Sequence, residues 1–552
     1  MKSDFDIAVV GSGFGGSLTA MIARRLGRSV ILVERGRHPR FAIGESSTPL
    51  ANLLLEELAL RYDLPRLLPL AKWGSWQKTY PQIACGLKRG FTFYQHQFEK
   101  PFLNDSERRD QLLVAASPRD EIADTHWYRA DFDHFLVREA QALGVEYLDQ
   151  TNLEAVTFNG NSVQLDGERG GKSVSIVARF LLDASGPRGF LQRELRLAEA
   201  PFEDFPPTQA LYSHFTAVKR WEDSAAGSPM PFAAEQPPYP VDDAAVHHVF
   251  AGGWVWILRL NNGITSAGVA ATDGLADALR FAEGEAAWNR LLERLPSVRE
   301  QFTDATSQRP FVHAPRLSFR SATVAGRNWA LLPSAAGIVD PLLSTGFPLA
   351  LLGIGRLAEV FEGDLDSPRL EERLKDFARQ TLQELDVAAK LVAALYASMN
   401  DFPLFTALAL LYFAGASFTE TARRLRRPEL ARGFLLSDHP DFSARLQSCC
   451  DRVLRAFPHG GLTAAARASL IEDVYQAIEP FDVAGLCARD RCNWYPVTAR
   501  DLLNARGKLG VSQAEINQLL ARCGFFDTEN SSPAPSPPVA LHGHTTCDSL
   551  SS

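Results

Sequence analysis

The amino-acid sequence predicts an α/β (α+β) fold, in which a Rossmann-like βαβ domain is interleaved with a mainly antiparallel sheet and followed by a helical C-terminal region. Three observations predict this fold. A buried-strand pattern at residues 7–10 leads into a glycine-rich turn and a helical pattern. Strand-like runs separated by prolines fill residues 205–320. Helical periodicity prevails from about residue 361 to residue 524.

The predicted domain boundaries follow from these patterns. Residues 1–200 and 325–360 form the nucleotide-binding domain, with an insertion at about 73–125 that is rich in aromatic residues and turns. Residues 201–324 form a sheet that covers a ligand, and residues 361–530 form the helical region. Residues 531–552 are rich in proline and serine, which predicts a disordered tail.

The first domain opens with a turn that reads Gly11-Ser12-Gly13-Phe14-Gly15-Gly16. Gly11 permits the tight turn, Gly13 allows the backbone to approach a pyrophosphate, and Gly16 lets the next helix pack close to the strand. The N-terminus of that helix then faces the phosphates. The second strand, residues 30–33, ends on Glu34, whose carboxylate is placed to accept hydrogen bonds from an adenosine ribose. Together these features predict a dinucleotide site.

Later elements are assigned from the same kinds of pattern. Residues 130–143 are predicted as a helix, residues 147–178 as short strands, and residues 180–183 as a buried strand that re-enters the nucleotide-binding sheet. The apolar run at residues 404–416 is shorter than the roughly 18 to 20 residues needed to cross a bilayer, which predicts a buried helix. Four prolines are interpreted as helix stop signals: Pro403, Pro440, Pro458 and Pro480.

Composition excludes several classes of partner. The chain has 552 residues, 46% of them hydrophobic, and a formal net charge of −8 with interspersed signs, so we expect a soluble protein that binds neither nucleic acid nor membranes. Its first strand begins too early for a signal peptide to precede it, which predicts a cytoplasmic protein. The seven cysteines form neither a paired framework nor a CxxC knuckle, and we predict no metal.

Further segments lie along the chain in a characteristic order: Gly44-Glu45-Ser46-Ser47-Thr48-Pro49, Cys85-Gly86-Leu87-Lys88-Arg89-Gly90-Phe91-Thr92-Phe93, Arg129-Ala130-Asp131-Phe132-Asp133, Asp183-Ala184-Ser185-Gly186, Trp254-Val255-Trp256-Ile257-Leu258-Arg259, and Gly337-Ile338-Val339-Asp340-Pro341 through Ser344-Thr345-Gly346. The set resembles the flavin-dependent halogenases, in particular the branch that acts on phenols and pyrroles, within the FAD-dependent monooxygenase-like superfamily. The resemblance spans most of the chain.

The resemblance implies roles for many of these residues. Those expected to contact FAD are Gly11, Gly13, Phe14, Gly16, Glu34, Glu45, Ser46, Arg129, Asp183, Gly186 and Asp340. Those expected to hold the halide are Ser344, Thr345 and Gly346, where backbone amides can bind an anion.

Lys88 is the implied catalytic residue, because its segment resembles the KxGxxF motif of the family. An ammonium placed among Phe91, Phe93 and Tyr94 is poorly solvated, so we expect a lowered pKa and an amine available as a nucleophile or hydrogen-bond partner. A surface lysine at a turn is the alternative interpretation of the same residues.

Trp254 and Trp256 match the family's tryptophan pair, which is expected to stand between flavin and substrate. Two aromatic residues on one face of a core strand would show the same spacing. The family's isoleucine and proline after this pair are replaced by Leu258 and Arg259, and the arginine restores a backbone donor.

The implied reaction is halogenation of an electron-rich aromatic small molecule, a phenol or a pyrrole, either free or tethered to a carrier protein. FADH2 from a separate flavin reductase, O2 and chloride or bromide would generate hypohalous acid. A second strand-linked GxGxxG is absent from the sequence, which agrees with a separate reductase. Two alternatives remain open at this point: an FAD-dependent monooxygenase or geranylgeranyl-reductase-type flavin oxidoreductase, and a flavin-binding protein without catalysis.

Overall fold

The fold is described from a computed structural model, which covers residues 4–227 and 236–525. The predicted disordered tail, residues 531–552, lies outside these residues. The strands of the described chain are β1 (Phe5–Val10), β2 (Val30–Val33), β3 (Cys85–Lys88), β4 (Gly90–Gln95), β5 (Gln111–Ala115), β6 (Asp124–Trp127), β7 (Glu146–Leu148), β8 (Thr151–Asn159), β9 (Ser162–Arg169), β10 (Lys172–Asp183), β11 (Thr208–Thr216), β12 (Ala245–Phe250), β13 (Gly253–Arg259), β14 (Thr265–Thr272), β15 (Thr306–Ser307), β16 (Val312–Ala314), β17 (Phe319–Arg320), β18 (Ala325–Gly326), β19 (Trp329–Leu331), β20 (Gly337–Ile338) and β21 (Trp494–Tyr495).

The α-helices are concentrated at the start of the chain and after residue 345. In chain order they are α1 (Phe14–Arg25), α2 (Pro49–Arg61), α3 (Trp73–Thr79), α4 (Arg129–Ala142), α5 (Phe190–Glu194), α6 (Asp273–Leu279), α7 (Glu285–Arg294), α8 (Pro296–Gln301), α9 (Pro333–Ala336), α10 (Gly346–Glu362), α11 (Leu370–Ala397), α12 (Phe402–Arg424), α13 (Pro440–Ala456), α14 (Ala464–Ile478), α15 (Ala499–Asn504) and α16 (Gln513–Arg522).

The first sheet carries the nucleotide-binding strands in the order β18-β19-β10-β1-β2-β7. Strand β1 is flanked in parallel by β10 and β2, and β8 and β9 extend β10 as an antiparallel hairpin. The carboxyl ends of parallel strands meet at one edge of a sheet. Gly11, Glu34 and Ala184, which follow β1, β2 and β10, therefore lie at the same edge. The predicted Rossmann-like start is confirmed.

The second sheet has nine strands, in the order β15-β11-β14-β13-β12-β4-β5-β21, with β16 also paired to β11. Only the β4–β12 and β5–β21 pairs of this sheet are parallel in the described chain. The predicted mainly antiparallel sheet is therefore confirmed. Its central strands are buried on both faces, since the nucleotide-binding domain and the C-terminal helices cover one face and α6 to α8 lie near the other.

Two regions differ from what the patterns predicted. Residues 73–125 supply β4 and β5 to the second sheet, although their composition indicated only turns and aromatic residues. All but the last residue of β4 are buried, so no polar–apolar alternation marked it as a strand. Residues 273–301 form three helices inside the predicted β region. In α7, Ala287, Trp288, Leu291 and Leu292 are buried at helical spacing, a signal that identifies the helix.

The prolines interpreted as helix stops have other positions in the structure. Pro403 and Pro440 lie in the first turns of α12 and α13, where a missing N–H leaves no intrahelical bond unmade. Pro458 and Pro480 lie in short 3₁₀ turns.

Helix α12 is longer than the apolar run that predicted it. It has 23 residues and is long and apolar enough to cross a membrane, but 83% of its most apolar window is buried inside the protein.

Candidate active site

The glycine turn after β1 depends on two close backbone contacts. Gly11 adopts φ +100°, and a Cβ atom there would lie 2.6 Å from the carbonyl oxygen of Ala184. A Cβ at Gly16 would lie 1.9 Å from the carbonyl oxygen of Gly11. Both positions therefore exclude any residue with a side chain. Gly13 is the N-cap of α1, and no side chain caps the helix there, which leaves its N-terminus to a ligand.

Glu34 lies at the end of β2 as predicted. Its carboxylate accepts hydrogen bonds from the backbone N–H and hydroxyl of Ser12 and from the N–H of Gly36, and it pairs with Arg40 at 3.3 Å. Burial acts to raise the pKa of Glu34, but the charge of Arg40 and these donors hold the pKa below its usual value. Glu34 is an ionised acceptor beside the glycine turn.

Arg129 connects the first turn of α4 to the loop that precedes α2. Its guanidinium makes a bidentate pair with Asp133 at 2.8 Å and donates to the carbonyl oxygens of Ile43 and Gly44. It also lies 5.2 Å from the ring centroid of Phe14 in α1. The arginine thus positions the 43–48 loop against the nucleotide-binding helix.

Glu45 follows in this loop, with a side chain that is fully buried. Its Oε1 lies 3.0 Å from Nε2 of His214, which comes from β11 of the second sheet. The pair therefore connects the 43–48 loop to the second sheet. Sequence patterns gave no indication of His214, because strand pairing alone brings it to this position.

Asp183 and Gly186 shape the turn after β10. Gly186 adopts φ +91°, and the carboxylate of Asp183 is fully buried and accepts hydrogen bonds from the Ser185 N–H and hydroxyl and the Leu191 N–H. Since its oxygens are occupied by protein donors, we expect Asp183 to hold this turn rather than to contact a cofactor.

A cavity, here called the nucleotide-side cavity, opens between the glycine turn and the second sheet and holds about 1250 Å³ of empty space. Its lining includes many of the residues singled out in the sequence: Phe14, Glu45, Ser46, Arg129, Trp254, Trp256, Asp340, Ser344, Thr345 and Gly346. The structure thus gathers five distant motifs around one space.

The predicted halide segment lies on the wall of this cavity, between β20 and α10. Ser344 adopts φ +53°, and Thr345 is the N-cap of α10. Gly346 has no heavy atom within 4 Å of the place where a Cβ would lie. The segment offers first-turn amides of a 17-residue helix to the cavity.

Trp254 and Trp256 face the same cavity from β13. Their ring centroids are 5.7 Å apart, and Trp254 lies 5.2 Å from the imidazole of His247 in β12. His247 in turn stacks on Phe93 of β4 at 4.4 Å. A row of rings therefore crosses three strands of the second sheet, from the nucleotide-side cavity to the segment that carries Lys88.

The departure at Arg259 has a structural explanation at the end of β13. The guanidinium donates to the carbonyl oxygens of Val218 and Lys219 and to the buried carboxylate of Asp242. Arg259 lines neither cavity, whereas Leu258 lines the nucleotide-side cavity. The arginine therefore bonds the end of β13 to the segments that carry residues 218–219 and Asp242.

A second cavity, here called the C-terminal cavity, lies between the second sheet and the C-terminal helices and holds about 1400 Å³ of empty space. Its wall is mostly apolar and includes Thr48, Phe91, Val114, Tyr412, Phe413, Ala416, Tyr495 and Leu519. Strand β21 closes one side because it pairs with β5.

Lys88 is fully buried in the wall between the two cavities. Its ammonium donates to the hydroxyl of Ser46 at 2.8 Å and to the carbonyl oxygen of Ser47, and it lies 3.8 Å from the ring centroid of Phe91. Ser46 lines the nucleotide-side cavity, while Phe91 lines the C-terminal cavity. A surface position for this lysine is excluded.

Asp124 of β6 lies directly opposite Lys88 in the β3–β6 ladder. Burial lowers the pKa of Lys88, and the carboxylate of Asp124 opposes that shift. Burial likewise raises the pKa of Asp124. One oxygen of Asp124 accepts from Asn52, whose own side chain accepts from Ser47, while the other oxygen has no hydrogen-bond partner among the described residues. The sequence patterns did not single out Asp124, because the register of strand pairing cannot be predicted from a single sequence.

The glycine turn after β1 and the end of β2 fit the nucleotide part of FAD. The turn at Gly11 and Gly16 leaves no room for side chains, Glu34 is an ionised acceptor at the end of β2, and the N-terminus of α1 carries no side-chain cap. Within the described residues no group of three His, Cys, Asp or Glu side chains could hold a metal ion.

Comparison with known proteins identifies several halogenases among the relatives of this chain. The monodechloroaminopyrrolnitrin halogenase PrnC of Pseudomonas fluorescens is 28% identical over 423 residues, which cover 75% of this chain and 71% of PrnC. The 1H-pyrrole-2-carbonyl-[peptidyl-carrier protein] chlorinase of Pseudomonas fluorescens is 26% identical over 369 residues, which cover 66% of this chain and 76% of the chlorinase.

Among solved structures, the halogenase PltM in complex with phloroglucinol and FAD superposes with a TM-score of 0.79 at 24% identity, covering 89% of this chain and 99% of PltM. This likeness establishes the fold. The sequence profile of the tryptophan halogenase family matches residues 124–408, which is more than half of the chain. The chain therefore belongs to the tryptophan halogenase family of flavin-dependent halogenases, enzymes that use FAD, a halide and O2.

Proposed function

We propose that this protein halogenates a phenol or a pyrrole bound in the C-terminal cavity, with Lys88 as the residue that delivers the halogen. The position of Lys88 carries the proposal. Its ammonium lies in the wall between the nucleotide-side cavity and the C-terminal cavity, bonded to Ser46 on one side and seated on Phe91 on the other.

When bound in its reduced form, the cofactor would give two electrons to O2, and the halide would lose two more electrons to the same oxidant, so that hypohalous acid and water form. In this proposal the glycine turn, Glu34 and Arg129 would hold the cofactor, and residues 344–346 would hold the halide. The source of FADH2 is proposed to be a separate reductase, because the sequence contains one strand-linked GxGxxG motif.

The amine of Lys88 can act on hypohalous acid in two ways. It can hold the acid by a hydrogen bond, or it can form an N–halogen bond with loss of water. The aromatic carbon then attacks the halogen, a C–halogen bond forms and the N–halogen or O–halogen bond breaks. The ring loses a proton, which restores the amine of Lys88 in the first case and forms water with the departing hydroxide in the second. The lowered pKa of Lys88 favours the neutral amine that formation of an N–halogen bond requires.

The apolar wall of the C-terminal cavity fits an aromatic substrate. Phe91, Tyr412 and Phe413 present rings to the cavity, and Phe91 is the ring on which the ammonium of Lys88 rests. An aromatic molecule against Phe91 therefore comes near Lys88. The names of the relatives, which include a pyrrole chlorinase and a complex with phloroglucinol, support the choice of pyrroles and phenols.

The test compares wild type with Lys88→Ala and with Lys219→Ala, which replaces an exposed lysine. Each protein receives FAD, a flavin reductase, NADH and chloride or bromide, and mass spectrometry searches a phenol and pyrrole panel for halogen isotope patterns. Panel members that carry a carboxyl group are supplied both free and as a thioester on a peptidyl carrier protein, since one relative is named for a carrier-bound substrate.

We expect halogenated product from wild type and from Lys219→Ala, and none from Lys88→Ala. A chemical trap for hypohalous acid should still react in the presence of Lys88→Ala, because that residue acts after halide oxidation. Product formation by Lys88→Ala at the wild-type rate, or a hydroxylated product from wild type, would overturn the proposal.

A further inference from the structure

Asp340 is a buried carboxylate in the nucleotide-side cavity. It is 3% exposed and lies between β20 and the halide segment. Its Oδ1 accepts a hydrogen bond from the Leu342 N–H at 2.9 Å, and its Oδ2 accepts one from the Tyr396 hydroxyl at 2.8 Å. Among the described residues no lysine, arginine or histidine forms an ion pair with it, so an ionised Asp340 has no compensating cation in contact.

The surrounding titratable groups do not neutralise this carboxylate. Arg129 lines the same cavity but is paired with Asp133. Glu45 is paired with His214, and burial lowers the pKa of His247 to about 3, which keeps that imidazole neutral. Tyr396 approaches from α11 as a neutral donor. Burial raises the pKa of Asp340 to about 7, although the hydrogen bonds from Tyr396 and Leu342 act in the opposite direction.

The reaction proposed above consumes one proton at the halide. Halide oxidation takes two electrons from the halide and two from FADH2, and O2 accepts all four. The products are hypohalous acid, water and oxidised FAD, and together they contain one hydrogen more than FADH2 supplies. That hydrogen must enter as a proton.

We propose that Asp340 takes up a proton when a halide enters the nucleotide-side cavity and that this proton is the one used in forming hypohalous acid. The inference rests on the proposed function, since it takes residues 344–346 as the halide site. Asp340 begins the same short loop and lines the same cavity.

The physical reason is repulsion between like charges. A halide and an ionised carboxylate in one mostly apolar cavity destabilise each other, whereas a halide and a neutral carboxyl group do not. Halide binding and protonation of Asp340 therefore favour each other, and each must strengthen the other by the same factor. Above the pKa of Asp340, halide affinity should fall about tenfold for each pH unit.

The experiment measures bromide binding to the FAD-loaded protein by titration calorimetry from pH 5.5 to 9, in buffers of different ionisation enthalpy. Wild type should take up about half a proton per bromide at pH 7 and close to one at pH 8 and above, where its affinity should fall about tenfold per pH unit. Asp340→Asn keeps a side chain of the same shape, and its bromide affinity should be independent of pH.

Tyr396→Phe provides a second variant that tests the same point. Loss of its hydroxyl removes a hydrogen bond to the carboxylate, so the pKa of Asp340 should rise and the fall in affinity should begin at a higher pH. Tyr62→Phe is the matched control, because Tyr62 donates to the carboxylate of Glu362 far from the cavity, and it should leave the bromide curve unchanged.

The outcomes separate the inference from the proposed function. Saturable bromide binding with the same pH dependence in wild type, Asp340→Asn and Tyr396→Phe would overturn the role of Asp340 and leave the halide site standing. Absence of saturable bromide binding at every pH would overturn the halide site and the inference with it. A pH-dependent affinity that Asp340→Asn abolishes supports the inference.

Discussion

Lys88 and Asp124 occupy directly opposite positions on β3 and β6, and each is buried where water cannot stabilise its charge. The Asp124 carboxylate favours the ammonium form of Lys88, while burial favours the amine. The balance between the two sets the pH at which the amine becomes available.

Replacement of Asp124 by Asn should shift the pH dependence of halogenation. Loss of the carboxylate removes the charge that raises the pKa of Lys88, so this pKa falls further and the neutral amine persists at lower pH. The acidic limb of a plot of kcat/KM against pH should move down by roughly one unit. Glu121→Gln, an exposed acid just before β6, should leave the limb unchanged, and an upward shift in Asp124→Asn would contradict this account.

Gly16→Ala should abolish FAD binding. The new methyl group would lie 1.9 Å from the Gly11 carbonyl oxygen, so the turn must open and the helix must move away from the strand. Flavin fluorescence and thermal unfolding measure the effect. Gly274→Ala, in α6, is the control: its methyl group meets no heavy atom within 4 Å, and we expect unchanged FAD binding and a gain of up to about 1 kcal/mol in the free energy of unfolding.

His214→Ala should destabilise the protein because it leaves the buried carboxylate of Glu45 without its partner. We expect a loss of about 3 kcal/mol in the free energy of unfolding, measured by denaturant titration. The double variant Glu45→Gln, His214→Ala should lose less than the sum of the two single variants. Additive losses would indicate that the two side chains do not interact.

Arg259→Ala should lower stability while halogenation continues. The variant loses three hydrogen bonds and leaves the buried carboxylate of Asp242 with fewer partners, which predicts a loss of about 2 kcal/mol in the free energy of unfolding. Because Arg259 lines neither cavity, kcat measured below the melting temperature should stay within about twofold of wild type. A much larger fall in kcat would assign the family departure at this position a catalytic effect.

Ala416→Phe should narrow the C-terminal cavity. The larger side chain occupies space proposed for substrate, so kcat/KM should fall most for bulky phenols and least for small ones, as product assays on a graded series would show. FAD binding and hypohalous acid formation should stay at wild-type levels. Ser417→Ala, which lines the same cavity without filling it, is the control, and equal losses for all substrates would argue against this cavity as the substrate site.

The sequence predicted the parts of the fold that short-range patterns determine. The turn at Gly11 and the burial of Lys88 follow from local steric and apolar patterns, and the structure places both accordingly. His214 and Asp124 were not identified, because each reaches its buried partner through strand pairing whose register no local pattern encodes. The domain boundaries remain predictions.

Because β21 pairs with β5, residues near the C-terminal end of the described chain form part of the wall of the C-terminal cavity. They follow the glycine turn, Lys88 and the halide segment in the sequence. Tyr495 and Leu519 line the C-terminal cavity and are not among the residues that line the nucleotide-side cavity. Under the proposed function, substitutions in this late segment would change which aromatic molecule the C-terminal cavity accepts without altering the residues of the nucleotide-side cavity. The substrate specificity of such a protein can therefore evolve through changes in a short C-terminal part of its sequence.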